Sequence, residues 1–191
     1  KAHGIEIVTL NETGIACEVD ETGKDPVENA VIKAVAYNKL SGMPTIALDD
    51  GLFLAGVPEE RQPGTHVRRV NGRSLNDAEM IEYYIDLVNR YGENGRLKGY
   101  FLKGVAIVSQ GGIYTFNHKA DRCFTNNRSQ VIDEGYPLAS IQIITSLNKF
   151  KSELTREEEK ITMDVEQREI FAFIVNTIAT MEGAADFEGS V

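Results

Sequence analysis

Thr45-Ile46-Ala47-Leu48-Asp49-Asp50-Gly51-Leu52-Phe53-Leu54 holds the most informative feature of the chain, a pair of carboxylates set between two apolar runs. The first run reads as a strand that Pro44 opens and that delivers Asp49 at its end. Carboxylates are acceptor-only oxygen ligands of the kind Mg²⁺ prefers, and one beside a bound metal can also orient or deprotonate an attacking water. Taken alone, the same residues favour a hairpin, because Asp50-Gly51 tolerates positive φ and is a strong turn signal between apolar runs. What lies upstream has to decide between a site and a turn.

Composition narrows the field first. A chain of 191 residues with no compositional break predicts one domain over residues 1–191 with a substantial core. Hydrophobic residues at 42% against charged residues at 26% place it with ordinary globular chains, not disordered ones. The net charge of −9, from 20 Lys and Arg against 29 Asp and Glu, argues against broad contact with a nucleic-acid backbone. Any phosphate ligand must then be met locally. No apolar stretch approaches the ~20 residues of a membrane span, and the N-terminus lacks a signal-peptide pattern, so the expected location is the cytoplasm with no membrane partner. Cys17 and Cys123 lack the spacing of a zinc site or disulfide framework, and His3, His66 and His118 are too scattered to bind zinc together.

The elements follow from local signals. Ile5-Glu6-Ile7-Val8 reads as a strand. Asp25 as N-cap, Pro26 in the first turn and Glu28 three residues past the cap predict a helix running to about Ser41, before Gly42, with Val27, Ala30, Val31, Ala34 and Val35 as its buried stripe. Asn76 and Glu79 mark a second helix that ends before Gly92, and Met80, Tyr83, Tyr84, Leu87 and Val88 form its buried face. Tyr100 to Ser109 and Ile113 to Asn117, joined through Gly111-Gly112, read as a hairpin, and Ile141 to Ile144 as a short strand. Thr155 with Glu158 predicts a third helix start, Val165 to Met181 a long C-terminal helix, and Gly183 to Val191 a frayed tail. The mixture is that of an α/β or α+β domain.

Asp20-Glu21-Thr22-Gly23 brings carboxylates close to the N-terminal end of the first helix, where free N–H groups and the helix dipole also receive phosphate. Asn29 and Lys33, spaced i, i+4, share one helix face, so Lys33 could reach an anionic ligand held near Glu21. Solvated loop acids, a capping Glu28 and a surface Lys33 account for the same residues taken singly.

Their order is more telling. Glu21-Thr22-Gly23, then Glu28-Asn29-Ala30-Val31-Ile32-Lys33-Ala34, then Asp49-Asp50-Gly51-Leu52, then Pro63-Gly64 followed by Arg68, resembles the inosine triphosphate pyrophosphatase family. That family carries E-T-G, E-N-A-x-x-K-A, D-D-S-G-L and P-G-x-x-x-A-R in this order. Glu153-Leu154-Thr155-Arg156-Glu157-Glu158-Glu159-Lys160 resembles its E-L-T-x-E-E-K with one added glutamate. The resemblance implies an elongated α/β fold, a mixed sheet with flanking helices and a central nucleotide cleft. It also implies a homodimer and Mg²⁺-dependent hydrolysis of a nucleoside triphosphate, such as a non-standard purine one, to the monophosphate and pyrophosphate. By position, Glu21 and Asp49 would bind metal, Asp49 would activate water, and Lys33 and Lys160 would contact the triphosphate. Asp50, Arg68 and Tyr136 complete the implied substrate-binding set.

The departures are equally specific. The family's first strand, with its T-x-N-x-x-K phosphate loop, has no counterpart before Lys1-Ala2-His3-Gly4, so either a natural N-terminus is missing or half the phosphate cradle is absent. In the ungapped register, Leu48 replaces the first Asp of D-D-S-G-L and Asp50 falls on its Ser. F-G-Y-D-P falls near Gly135-Tyr136-Pro137-Leu138-Ala139-Ser140, where Tyr136 could still stack on a base and no carboxylate remains. S-H-R falls near Asp164-Val165-Glu166, which either begins the C-terminal helix or offers Glu166 as an acceptor to a base bearing an amino group. These losses motivate a second reading, a catalytically silent nucleotide-binding or regulatory protein that kept the fold, and a third, a plain interaction module.

Overall fold

The structure, a computed structural model, describes residues 6–188, with the side chains of 163–166 and 182–188 outside that description. Its elements in order are α1 Leu10–Thr13, α2 Pro26–Ser41, β1 Thr45–Leu54, β2 Arg69–Val70, β3 Arg73–Ser74, α3 Asp77–Tyr91, β4 Arg96–Ser109, β5 Gly112–Thr125, β6 Ile143–Ile144, β7 Lys149–Phe150 and α4 Arg156–Glu188. Short 3₁₀ turns occupy Glu59–Arg61, Pro137–Ser140 and Lys151–Glu153. This is a mixed α/β architecture: β1, β4 and β5 form an antiparallel sheet with β4 in the middle, and β2–β3 and β6–β7 are small antiparallel pairs. Among the described residues no helix is long and apolar enough to cross a membrane.

Backbone contacts divide the chain into two compact units, one of Lys1–Asp49, Lys103–His118 and Val165–Val191, the other of Asp50–Leu102 and Lys119–Asp164. In the first, α2 begins where the sequence places it. The Asp25 carboxylate accepts from the Val27 and Glu28 N–H groups at 2.8 and 2.9 Å, and Gly42 ends the helix at φ 68°. Ala30 and Ala34 pack on Ala47, Ala106 and Val108, so small side chains let the helix lie close to its strands. Gly104 is required there, because a Cβ would fall 2.4 Å from the Pro26 carbonyl oxygen. On β5, Phe116 stacks on Phe173 of α4 at 5.2 Å, and His118 Nδ1 lies 2.8 Å from Glu169 Oε2.

The second unit holds the larger apolar cluster. Met80, Ile81, Tyr84, Leu87 and Val88 of α3 pack with Leu52, Leu54, Leu97, Phe124, Leu138 and Ile141. Asn76 and Glu79 form the reciprocal capping box that the sequence predicts. Tyr84, nearly fully buried, donates its hydroxyl to the Val67 carbonyl at 2.9 Å; burial and then the neighbouring Tyr83 push its ionisation far up.

Five expectations need correction. Glu6, Ile7 and Val8 form no strand: Ile7 and Val8 stay exposed without a strand partner among the described residues, and Thr9 with Glu12 caps the one-turn α1 instead, while Ile5 lies outside the described residues. The hairpin reading of Asp50-Gly51 fails because β1 runs unbroken through both residues, and Gly51 is buried and not at positive φ. Residues 156–188 are one helix, since nothing between Thr155 and Met181 is a Gly or Pro that would break it, and the tail expected from Gly183 is helical as far as Glu188. The Ile141–Ile144 strand shortens to Ile143–Ile144, because Pro137–Ser140 forms a 3₁₀ turn and Ile141 follows it directly.

Candidate functional site

Within the first unit, three sequence-predicted residues meet. Asn29 and Lys33 lie one turn apart on the face of α2 that packs against β1, and both reach Asp49. Lys33 Nζ is 2.8 Å from Asp49 Oδ1 and 3.2 Å from Glu21 Oε1. Asn29 Nδ2 donates to Asp49 Oδ2 at 3.1 Å, so each oxygen of that carboxylate has its own donor. Asp49 keeps 11% of its side chain exposed, Lys33 18% and Glu21 38%, a gradient from the strand outward to the loop.

The loop carrying Glu21 is tied down by backbone bonds. Gly23 N–H donates to Asn29 Oδ1 at 2.8 Å and Lys24 N–H to Glu28 Oε2 at 2.7 Å. A Cβ on Gly23 would stand 2.6 Å from Asn29 Oδ1 and 2.8 Å from Asn29 N, so the loop lies this close only because residue 23 has no side chain. Asn29 itself is 0% exposed and uses one end of its amide on the loop, the other on the strand. Sequence reading placed Asn29 on the Lys33 face by spacing but gave it no role in a site.

Burial pulls the Lys33 ammonium down, but the hydrogen bonds and charges of Asp49 and Glu21 outweigh it and hold the group above its ordinary 10.5. Lys33 is therefore a fixed cation at neutral pH, suited to meeting phosphate oxygens and unsuited to taking a proton. Among the described residues no three His, Cys, Asp or Glu side chains converge. Glu21 and Asp49 do converge on one cation, and Mg²⁺ characteristically takes only one or two carboxylates, completing its shell with waters and phosphate oxygens. The donor set fits that ion.

The second unit holds the other predicted residues. Arg68 Nη1 donates to Asp77 Oδ1 at 2.7 Å and to the Leu75 carbonyl at 3.1 Å, and its Nη2 to the Gly135 carbonyl at 3.2 Å. Arg68 is thus engaged beside the segment that bears Tyr136. Tyr136 is 76% exposed. Asp50 is exposed and, by the alternation of β1, turns to the face opposite Asp49. Lys160 is exposed in the second turn of α4. Asp164, Val165 and Glu166, where S-H-R would fall, lie outside the described side chains. An open cavity of about 620 Å³ is lined by Val70, Asn71, Arg73, Leu75, Ala78, Glu79, Glu82 and Tyr83, none of them a predicted site residue.

Comparison with known proteins adds the lineage. The model of the Ham1 family matches residues 1–164. A dITP/XTP pyrophosphatase of Leptospira interrogans is 27% identical over 154 residues, covering 81% of this chain and 76% of that protein, and one of Leptospira biflexa is 27% identical over 176 residues, covering 92% and 86%. Among solved structures, a HAM1 protein from Coxiella burnetii superimposes with a TM-score of 0.75 at 22% identity, covering 92% of this chain and 88% of that one. A nucleoside-triphosphatase / dITP/XTP pyrophosphatase from Mycobacterium abscessus gives 0.70 at 24% identity, over 88% and 86%. At such identities the superpositions establish the fold. With its model spanning most of the sequence and its named relatives nucleoside triphosphate pyrophosphohydrolases, the chain belongs to the Ham1 family.

Proposed function

We propose that this protein hydrolyses a nucleoside triphosphate, of the non-standard purine class, to the monophosphate and pyrophosphate in a Mg²⁺-dependent reaction. The observation that carries the reading is Lys33, an ammonium held at 2.8 and 3.2 Å between the carboxylates of Asp49 and Glu21. Family membership supports triphosphate hydrolysis, and the dITP/XTP names of the relatives support the choice of base.

The chemistry asked of these residues is positioning and charge stabilisation. Phosphoryl transfer builds negative charge on oxygens that already carry it, so fixed cations and a placed water account for most of the catalysis. Lys33 meets phosphate oxygens with a charge that two carboxylates keep in place. Asp49, anchored through Asn29, offers an oxygen that orients the attacking water and receives its proton. Glu21 and Asp49 are the residues that would hold Mg²⁺, which when bound supplies further positive charge to the phosphates. Lys160 is assigned to the triphosphate and Asp50 to the substrate by their places in the motif order of the family. Tyr136 stacks on the base, and Arg68 acts through the segment that carries it.

The test is pyrophosphate release from standard, deaminated and modified nucleoside triphosphates, with Mg²⁺ and with chelator. Metal-dependent turnover that falls by about 10³-fold or more in Asp49→Asn is expected. Turnover that survives the substitution removes Asp49 from the reaction, and triphosphate binding without turnover in the unaltered protein removes the enzyme.

A further inference from the structure

Asp77, the first residue of α3, uses both carboxylate oxygens on groups outside its helix, one nine residues away and the other 58. Oδ1 accepts from Arg68 Nη1 at 2.7 Å and Oδ2 from the Gly135 N–H at 2.8 Å. The Gly135 carbonyl in turn accepts from Arg68 Nη2 at 3.2 Å. One residue is therefore gripped at both its N–H and its C=O by two oppositely charged side chains that also bind each other. Gly135 sits at φ 82°, in the left-handed region, which suits a glycine. The next residue is Tyr136.

The chain beyond Tyr136 is fixed as well. Tyr136 N–H donates to the Asp133 carbonyl and the Tyr136 carbonyl accepts from Ala139 N–H, both at 3.0 Å. Pro137, Leu138, Ala139 and Ser140 are all buried, with Leu138 in the cluster that α3 anchors. Tyr136 thus stands between a charged latch and a buried anchor, yet the residue is 76% exposed. A solvent-facing ring gains nothing for the core from such fixation. A ring that must meet a planar ligand gains pre-organisation, because the entropy of ordering the segment is lost before the ligand arrives.

We propose that Asp77 is a positioning residue for nucleobase binding: with Arg68 it latches Gly135 so that the exposed Tyr136 ring is presented ready to stack on the base of the triphosphate. This rests on the reading of Tyr136 as the base contact given above. Asp77 touches no ligand itself, since its two oxygens are committed to Arg68 and Gly135. The base loop of this chain, which has no carboxylate of its own after Tyr136, is held by one borrowed from α3.

The experiment compares Asp77→Ala, Asp77→Asn, Tyr136→Ala and the Asp77→Ala/Tyr136→Ala pair. Glu79→Gln is the control, a change in the same helix turn that touches the capping box and Arg73 but not the loop. Dissociation constants are measured calorimetrically for inosine, xanthosine, adenosine and uridine triphosphates with Mg²⁺, alongside amide hydrogen exchange over residues 133–136. Asp77→Ala is expected to weaken purine triphosphates by about tenfold, to narrow the purine-to-uridine ratio and to speed exchange at Gly135. Asp77→Asn gives a smaller shift in the same direction, and Glu79→Gln stays within about twofold. The paired variant should bind no worse than Tyr136→Ala alone, because both changes remove one contact. Losses that add in the pair, or an Asp77→Ala protein with unchanged base ratios while Tyr136→Ala shifts them, overturn the latch alone. A Tyr136→Ala protein with unchanged base ratios overturns the base contact and the latch with it.

Discussion

Asn29 Nδ2 donates to Asp49 Oδ2 across 3.1 Å, while Oδ1 of the same Asn29 amide accepts from the Gly23 N–H at 2.8 Å. One fully buried side chain therefore couples the strand that carries Asp49 to the loop that carries Glu21, the two carboxylates that flank Lys33. Neither carboxylate is placed by its own element alone.

Asn29→Ala removes both bonds and leaves a partly buried loop N–H and an Asp49 oxygen without their partner. Each group stranded in this way costs about 1–3 kcal/mol. The melting temperature is expected to fall by roughly 2–4 °C for each kcal/mol in a chain of this size. Activity should fall further than stability explains, with kcat reduced at temperatures where the variant is fully folded. A variant that loses stability but keeps the kcat of the unaltered protein would make Asn29 a packing residue and nothing more.

How far this site was legible depended on which signals were local. The Asp25 cap, Pro26 and Gly42 marked the limits of α2, and the i, i+4 spacing put Asn29 and Lys33 on one face. The resemblance to the inosine triphosphate pyrophosphatase family, read from four motifs in order, agrees with the Ham1 match. What was hidden was long-range. Asp50-Gly51 has the composition of a turn, yet both residues lie within β1, a strand of the three-stranded sheet. Ile7 and Val8 have strand propensity but no strand partner among the described residues, so propensity misled there. The partners of Arg68 and Asp77 lie 67 and 58 residues away at Gly135, beyond the reach of any periodicity.

Gly23→Ala tests the same loop from the other side. The new Cβ would stand 2.6 Å from Asn29 Oδ1 and 2.7 Å from Glu28 Cβ, so the loop must move off the helix start and carry Glu21 away from Lys33. A loss of about 1–3 kcal/mol is expected from urea denaturation, the usual range for forcing volume into a close contact. The Mg²⁺ concentration for half-maximal turnover should rise while Gly111→Ala, whose Cβ would be 3.5 Å from the nearest atom, changes neither quantity. If the metal requirement stays put as stability drops, Glu21 does not help hold the ion.

Lys33 gives the pH signature. Folding raises its ionisation above 10.5, burial notwithstanding, because Asp49 and Glu21 favour the charged form. A group raised on folding contributes in full below its unfolded value, and that contribution disappears as the pH climbs through the folded one. Lys33→Met leaves Asp49 without its counter-ion, and at 18% side-chain exposure of Lys33 the cost should fall between surface and fully buried pairs, about 1–3 kcal/mol. Urea denaturation of both proteins from pH 8 to pH 11.5 should show that gap at the lower end and its shrinkage above pH 10.5. The unaltered protein, its lysine neutral, then carries the same uncompensated carboxylates as the variant. A gap of constant size across the range would mean that Lys33 contributes through the packing of its aliphatic stem and not through its charge.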